Sequence, residues 1–314
     1  MNKEYANQKM IQIMNKDYLL SKQDIELFKK MIYECDLNLQ DKTDATPIIY
    51  ALHFNKKYHL TREQWDYLIQ NSDLKKQDED GYTALLEAIR CHKEQELNFH
   101  KEQWDYLLKN SDLTQNTYAQ HWNPIIYAFM NNQKQNLNFN EEQWNYLIQN
   151  STIKSKNKIK NYNIIIYAIK YHQSENLNFN EEQWDYIIQN SDLTQQDKDG
   201  WTPLLFALVY HQEQNVNFSK KQLRVMYYAL TEVQQQNTFQ NFIQQNYNNQ
   251  KYIEQINLFL YDLQFQPNEK TIKWLQENQY KDILKRIEKR NLWIQLQKKI
   301  NQVEKKEKMS KIKI

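Results

Sequence analysis

Four tryptophans, Trp65, Trp104, Trp144 and Trp184, stand 39, 40 and 40 residues apart, and each opens nearly the same phrase: WDYLIQNSDL, WDYLLKNSDL, WNYLIQNSTI and WDYIIQNSDL. A second marker, Thr46, Thr83, Asn123, Asn163 and Thr202, keeps step at intervals of 37, 40, 40 and 39. A fixed period in this range implies one supersecondary unit stacked on copies of itself, because a single unit has too little apolar surface to bury alone. The second marker precedes the tryptophan by 19 residues once and by 21 thereafter. That leaves room for one helix, a connection and the start of another, so each unit reads as a helix pair. Two glycines and four prolines in 314 residues exclude a hairpin-rich sheet, which needs many tight turns.

The phrase carries its own start signal. Thr61, Asn140, Asn180 and Ser219 are favourable N-caps, and Gln64, Gln143, Gln183 and Gln222 follow three residues later, the spacing of a capping box; His100 with Gln103 is a weaker version. Leu60, Phe99, Phe139, Phe179 and Phe218 precede the cap, and Trp65, Trp104, Trp144, Trp184 and Leu223 follow it by four, which makes a hydrophobic staple in every unit. These tryptophans are therefore read as core. The partner helix opens Thr46-Pro47 or Thr202-Pro203, with proline where a missing N–H costs nothing. Tyr67, Tyr106, Tyr146 and Tyr186 lie off the apolar face and are expected to bridge neighbouring units.

The segments DEDGYTALLEAI (78 to 89) and DKDGWTPLLFAL (197 to 208), with SDL ahead of each, resemble the ankyrin repeat, and both glycines, Gly81 and Gly200, fall at its turn position. The resemblance covers roughly residues 36 to 230. It implies an all-α fold, an α-solenoid of stacked helix-turn-helix ankyrin-like repeats with helical caps. Departures are clear. The family's histidine after Thr-Pro-Leu is replaced by Ile49, Leu86, Ile126, Ile166 and Leu205; each unit is about six residues longer than the usual 33; and units three and four read YAQHWNPII and KIKNYNIII at the turn. The expected organisation is an N-terminal helical cap over 1–36 with a capping box at Ser21 to Asp24, five repeats over 37–233, and a C-terminal helical region over 234–314. In the last, 234 to 250 is Gln/Asn-rich, 253–263, 271–278 and 280–299 read as amphipathic helices, and the basic run from Lys298 to Ile314 is expected to fray.

Ankyrin-like proteins present their concave side to partners, and the resemblance puts the position before the marker there: Ala45, Tyr82, Trp122, Tyr162 and Trp201. Four of the five are aromatic, the residue type of interface hot spots. The end of the first helix adds His53, Phe54, Arg90, Met130, Lys170, Tyr171 and Tyr210. Tyr82, Trp122, Tyr162, Trp201, Phe54, Met130, Tyr171 and Tyr210 are thus the expected protein-binding residues, set against the plainer reading in which the rings stack on adjacent turns.

Other chemistries find little support. Lys plus Arg (41) nearly balance Asp plus Glu (39), so no global field pulls the chain onto nucleic acid or anionic membrane. Only Lys154, Lys156, Lys158 and Lys160, with the basic C-terminal run, favour the alternative of a nucleic-acid-binding protein. His92, His172 and His211 share one repeat position, but stacked helices hold such residues about 8–10 Å apart, so they read as helix C-caps rather than metal ligands. The Asp-x-Asp-Gly turns fail as calcium loops because Lys76 and Gln195 stand at the first ligand place. With Cys35 and Cys91 as its only cysteines, the chain offers no disulfide framework, and no nucleophile or acid–base pair stands out. A non-catalytic, monomeric interaction scaffold without cofactor, metal or membrane span is expected. Its expected setting is cytoplasmic, or a host cell if the chain is a secreted microbial effector.

Overall fold

Each repeated phrase opens a helix where its capping chemistry requires one. The computed structural model describes residues 2–16, 20–152, 162–210, 214, 216–247 and 252–311, with side chains up to residue 302. Among the described residues no strand occurs. The helices are α1 (Lys3–Met14), α2 (Lys22–Met31), α3 (Pro47–Tyr58), α4 (Arg62–Asn71), α5 (Ala84–Cys91), α6 (Lys101–Asn110), α7 (Pro124–Asn131), α8 (Glu141–Asn150), α9 (Ile164–Tyr171) and α10 (Glu181–Asn190). They continue with α11 (Pro203–Tyr210), α12 (Lys220–Tyr228), α13 (Glu232–Asn246), α14 (Tyr252–Asn257), α15 (Glu269–Glu277) and α16 (Lys281–Lys311), and a π-helical turn, Leu258–Asp262, follows α14. The chain divides into two compact units, Met1–Asp199 with Gln212–Val216, and Gly200–His211 with Asn217–Ile314.

In the first unit α3, α5, α7 and α9 pack in sequence as one row, and α4, α6, α8 and α10 as a second, with α1 and α2 against α3. These are stacked ankyrin-like helix pairs, an α-solenoid packing. The staples form: Phe99, Phe139 and Phe179 meet Trp104, Trp144 and Trp184 edge-on at 5.4, 5.3 and 5.5 Å. The same phenylalanines also receive the tryptophan of the preceding repeat, Trp65, Trp104 and Trp144, at 5.2, 4.9 and 5.5 Å. Staple and repeat interface are therefore one continuous ladder of rings, each edge-to-face contact contributing on the order of 1 kcal/mol beyond burial.

The capping glutamines do more than close boxes. Gln143 accepts the Asn140 N–H at 3.0 Å and donates through Nε2 to Asp105 Oδ1 at 2.8 Å in the preceding repeat. Gln103 donates likewise to Asp66, and Gln183 to Asn145, each at 2.8 Å. The residue after each tryptophan is thus the acceptor for the next repeat's cap. Tyr186 also bridges as expected, donating to the Gln149 carbonyl at 3.2 Å.

The six extra residues per repeat form a second interlock. Asn98, Asn138 and Asn178 take left-handed φ of 50°, 53° and 49°, as do Glu96, Asn136 and Asn176, folding the loop back on itself. The His/Asn at the end of the first helix then reaches into the next repeat's loop. Asn55 donates to Gln95 O at 3.0 Å, Asn132 to Glu175 O at 2.9 Å, and the ring nitrogens of His92 and His172 lie 3.1 and 3.0 Å from Gln135 O and Gln214 O. The histidines are indeed C-cap residues, yet their side chains bind the neighbour rather than their own helix end.

In the second unit one stretch gains an assignment and one expectation is corrected. The Gln/Asn-rich stretch is helical, α13, burying Phe239, Phe242 and Ile243, and Phe239 packs on Phe265 at 4.4 Å and Phe259 at 5.2 Å. Gln236 is buried there because both ends of its amide are paired, to Thr271 Oγ1 at 2.7 Å and Gln266 O at 2.8 Å. The basic run expected to fray from Lys298 continues as helix to Lys311 in α16, as suits its long, good helix-forming side chains.

Candidate protein-interaction face

The turn before each first helix places the marker position and the ring ahead of it. Two residues before the marker the backbone is left-handed at Asp44, Gly81, His121 and Gly200, with φ of 59°, 85°, 56° and 79°. The turn of unit three therefore survives its lost consensus, with His121 in the place of glycine. Successive turns are tied by Glu79 N–H to Thr43 O at 2.9 Å and Tyr118 N–H to Asp80 O at 3.0 Å. Asn123 and Asn163 cap like threonine, accepting Ile126 and Ile166 N–H at 3.1 and 3.2 Å, and their amides additionally reach the Thr152 and Asp192 carbonyls.

From these turns Tyr82, Trp122 and Tyr162 project in one register, each half-buried. Trp122 leans edge-on against Tyr127 at 5.2 Å and Tyr162 against Tyr167 at 5.6 Å. Tyr82 reaches into the next repeat, its hydroxyl 2.8 Å from that of Tyr127. Each ring is thus part packing and part exposed: Lys170 lies 5.1 Å above the Tyr162 ring, and the indole nitrogen of Trp122 is buried. Met130 and Tyr171 are also half-buried, Tyr171 stacking on Tyr167 at 6.2 Å. Phe54, expected to be exposed, is only 9% exposed, because it packs on Tyr50 at 4.7 Å with Lys57 above it at 5.5 Å. Trp201 and Tyr210 belong to the second unit, where both flank Phe206, at 5.2 and 5.7 Å. Lys154 to Lys160 and His211 lie outside the described residues.

Between the first two repeats this face deepens into a cleft of about 410 Å³, lined among others by Phe54, Asp78, Tyr82, His53, Glu87 and Arg90. Glu87, 2% exposed, carries a charge that the sequence reading passed over. Arg90 grips it with Nε at 2.8 Å from Oε2, and His53 Nδ1 lies 3.0 Å from Oε1. Burial alone would raise the Glu87 carboxyl, but the hydrogen bonds from His53 and Arg90 and their charge outweigh it and hold it below the usual range. Arg90 in turn lies 5.2 Å above the Tyr82 ring. The one visible signal was an acidic residue inside the otherwise apolar run ALLEAI. Asp78, at the cleft mouth, is shifted upward by burial against hydrogen bonds from the Tyr82 and Asp80 N–H groups.

Among the described residues no group of His, Cys, Asp and Glu is arranged to hold a metal ion, and no helix is long and apolar enough to cross a membrane. The ankyrin-like class is thus visible in the helix pairs and in the turn ladder. The sequence matches no protein-family model and no curated protein. Among solved structures, 70% of this chain aligns with 97% of a chain in the complex of a predatory endopeptidase from Bdellovibrio bacteriovorus with an immunity protein, at 15% identity and a TM-score of 0.41. It aligns over the same 70% with 82% of the ankyrin repeat domain of Bcl-3, a member of the IkappaB protein family, at 13% identity and a TM-score of 0.39.

Proposed function

We propose that this chain is a non-catalytic scaffold that grips a protein partner on the face carrying Tyr82, Trp122 and Tyr162, with Met130 and Tyr171 beside them. The observation that supports it is the register: three consecutive repeats hold a half-buried ring at one position, each braced by a helix tyrosine. Rings fixed in this way lose little freedom on binding, which is what makes Tyr and Trp effective anchors. In the second unit Trp201 is braced instead by Phe206 at 5.2 Å, with Tyr210 6.5 Å away.

The test is affinity capture with Tyr82, Trp122, Tyr162 and Trp201 replaced by alanine, with mass spectrometry identifying what the unaltered chain retains. Loss of the retained protein by at least about tenfold, with helicity intact by circular dichroism, supports the reading. Retention equal to that of the unaltered chain sinks it.

A further inference from the structure

Helix α16 has two apolar faces, and the second unit uses only one. Ile283, Ile287 and Arg290 are buried on the packed side, while Arg286 donates to Asn257 at 3.2 Å and the Tyr252 hydroxyl bonds Asp282, fixing the first half of the helix to its unit. Beyond that anchorage, Leu292, Trp293, Leu296 and Ile300 are 67%, 54%, 57% and 42% exposed. Positions i, i+1, i+4 and i+8 fall on one stripe of a helix, running about 12 Å along its axis. Four large apolar side chains exposed side by side require an explanation that scattered surface residues do not.

The charge around the stripe selects the occupant. Residues 289 to 302 contain Lys289, Lys298 and Lys299, with Arg290 on the packed side, and no carboxylate, and 303 to 314 add five lysines against Glu304 and Glu307. Nine basic residues against two acidic ones give this segment +7 in a chain whose net charge is +2. A second copy of the helix laid on the stripe would bring two such segments together, and their repulsion opposes it. An anionic bilayer satisfies both features. Trp, Leu and Ile enter the headgroup boundary, where an indole is favoured, and each nearby lysine is attracted by the surface potential.

We propose that the exposed face of α16 binds the surface of an anionic lipid bilayer, seating Leu292, Trp293, Leu296 and Ile300 in its interface. The helix lies on the membrane and does not span it. The site is separate from the aromatic face of the first unit, so either reading can fail without the other.

The experiment is co-sedimentation of the full chain with vesicles of phosphatidylcholine alone and of phosphatidylcholine mixed with phosphatidylserine. The expected result is partition onto the mixed vesicles only, weakening steeply with added salt. Trp293→Ser with Leu296→Ser lowers the partition coefficient at least about tenfold, and Lys298→Gln with Lys299→Gln lowers it about tenfold. All four positions are exposed, so folding by circular dichroism stays unchanged. Failure to bind mixed vesicles at low salt, equal binding to phosphatidylcholine alone, or binding that survives the Trp293/Leu296 pair overturns the proposal. So does a dimer abolished by that pair, or retention by an acidic polypeptide in place of vesicles.

Discussion

The imidazole of His92 reaches a full repeat forward, its Nδ1 3.1 Å from the carbonyl oxygen of Gln135, while its Nε2 accepts the Phe99 N–H at 3.2 Å. A carbonyl can only accept and an amide N–H can only donate, so this geometry holds the neutral ring with its proton on Nδ1. Burial lowers its pKa against the partly restoring bond to Gln135, and His172, facing Gln214, is lowered in the same way. A histidine that protonates less readily when folded favours the unfolded chain as acid is added. Its stabilising contribution is therefore complete above about pH 6.5, and it is lost as pH falls from there through the lowered folded value. Urea midpoints measured from pH 8 to 5 are expected to drop over this window, and the double substitution His92→Asn, His172→Asn is expected to flatten the drop. An unchanged slope in the variant contradicts this assignment.

Gln143 and Gln183 share two bonds, Gln143 adding a longer one to the Lys101 carbonyl at 3.3 Å, yet the side chains that accept their amides differ: a carboxylate on Asp105, a carboxamide on Asn145. Gln143→Glu sets two carboxylates against each other, whereas after Gln183→Glu the Asn145 amide turns over and donates. Gln143→Glu is expected to cost about 1–2 kcal/mol and Gln183→Glu less than about half of that, each measured by urea unfolding at pH 7. Equal losses would show that the cap alone matters.

The helix pairs and their caps were legible because one local rule is written five times: a cap, a glutamine three residues on, and apolar residues on either side. What crosses between repeats was not. Gln64 and Gln143 fit the same box in the sequence, but only the stacked neighbour gives Gln143 its second bond to Asp105. Helix α13 was not singled out within the expected helical region because Gln236 and Thr238 look solvent-facing, and a fully paired amide is as buriable as an apolar side chain. The recurrence of an aromatic before the marker was readable from spacing, while its assignment to a partner-facing side came from the resemblance. The cleft was not readable, since Glu87, His53 and Arg90 come together only when two first helices pack. Phe54 was misplaced for a more local reason, its exposure being decided by Tyr50 one turn back on the same helix.

Glu87 is almost wholly buried, with Arg90 and His53 as its partners. Removing the carboxylate with Glu87→Ala strands the guanidinium, though Arg90 keeps about a third of its side chain in water. The expected loss is accordingly at the low end for a broken buried pair, about 2–3 kcal/mol. Because the folded carboxyl lies below its ordinary value, this contribution is present above about pH 4.5 and lost as pH falls through the folded value. Thermal midpoints of the unaltered chain and of Glu87→Ala should converge on acidification.

Gly81 and His121 occupy one left-handed turn position and should answer oppositely to substitution. A Cβ at Gly81 would sit 2.8 Å from the Tyr118 backbone nitrogen at φ 85°, so Gly81→Ala is expected to cost at least about 1 kcal/mol. At His121, φ 56°, replacement by glycine relieves the left-handed penalty but loosens the unfolded chain, which leaves a gain of about 0.5 kcal/mol or less. Differential scanning calorimetry of the two variants compares them directly.

Phe129 and Asn132 stand where Ile89 and His92 stand one repeat earlier. His92 lies 5.2 Å from Trp104, whereas in the next repeat it is Phe129 that meets Trp144, at 5.9 Å, and reaches Phe179 at 5.2 Å. The smaller Asn132 leaves its Oδ1 buried without a partner, beside a pocket of about 430 Å³ that it lines with Phe139 and Trp144. If a ring at either position supplies the volume against the tryptophan, the two sites are coupled. Phe129→Ile alone then opens a cavity and costs about 1–3 kcal/mol, and Asn132→His alone gains little, because the phenylalanine already holds the contact. Together they rebuild the pairing of the preceding repeat, and the introduced imidazole can restore the contact that loss of the phenyl ring removes. A double-mutant cycle by urea unfolding should give at least about 0.5 kcal/mol of favourable coupling; strict additivity would mean that each residue packs independently, and that the alternation between repeats is not an exchange of volume.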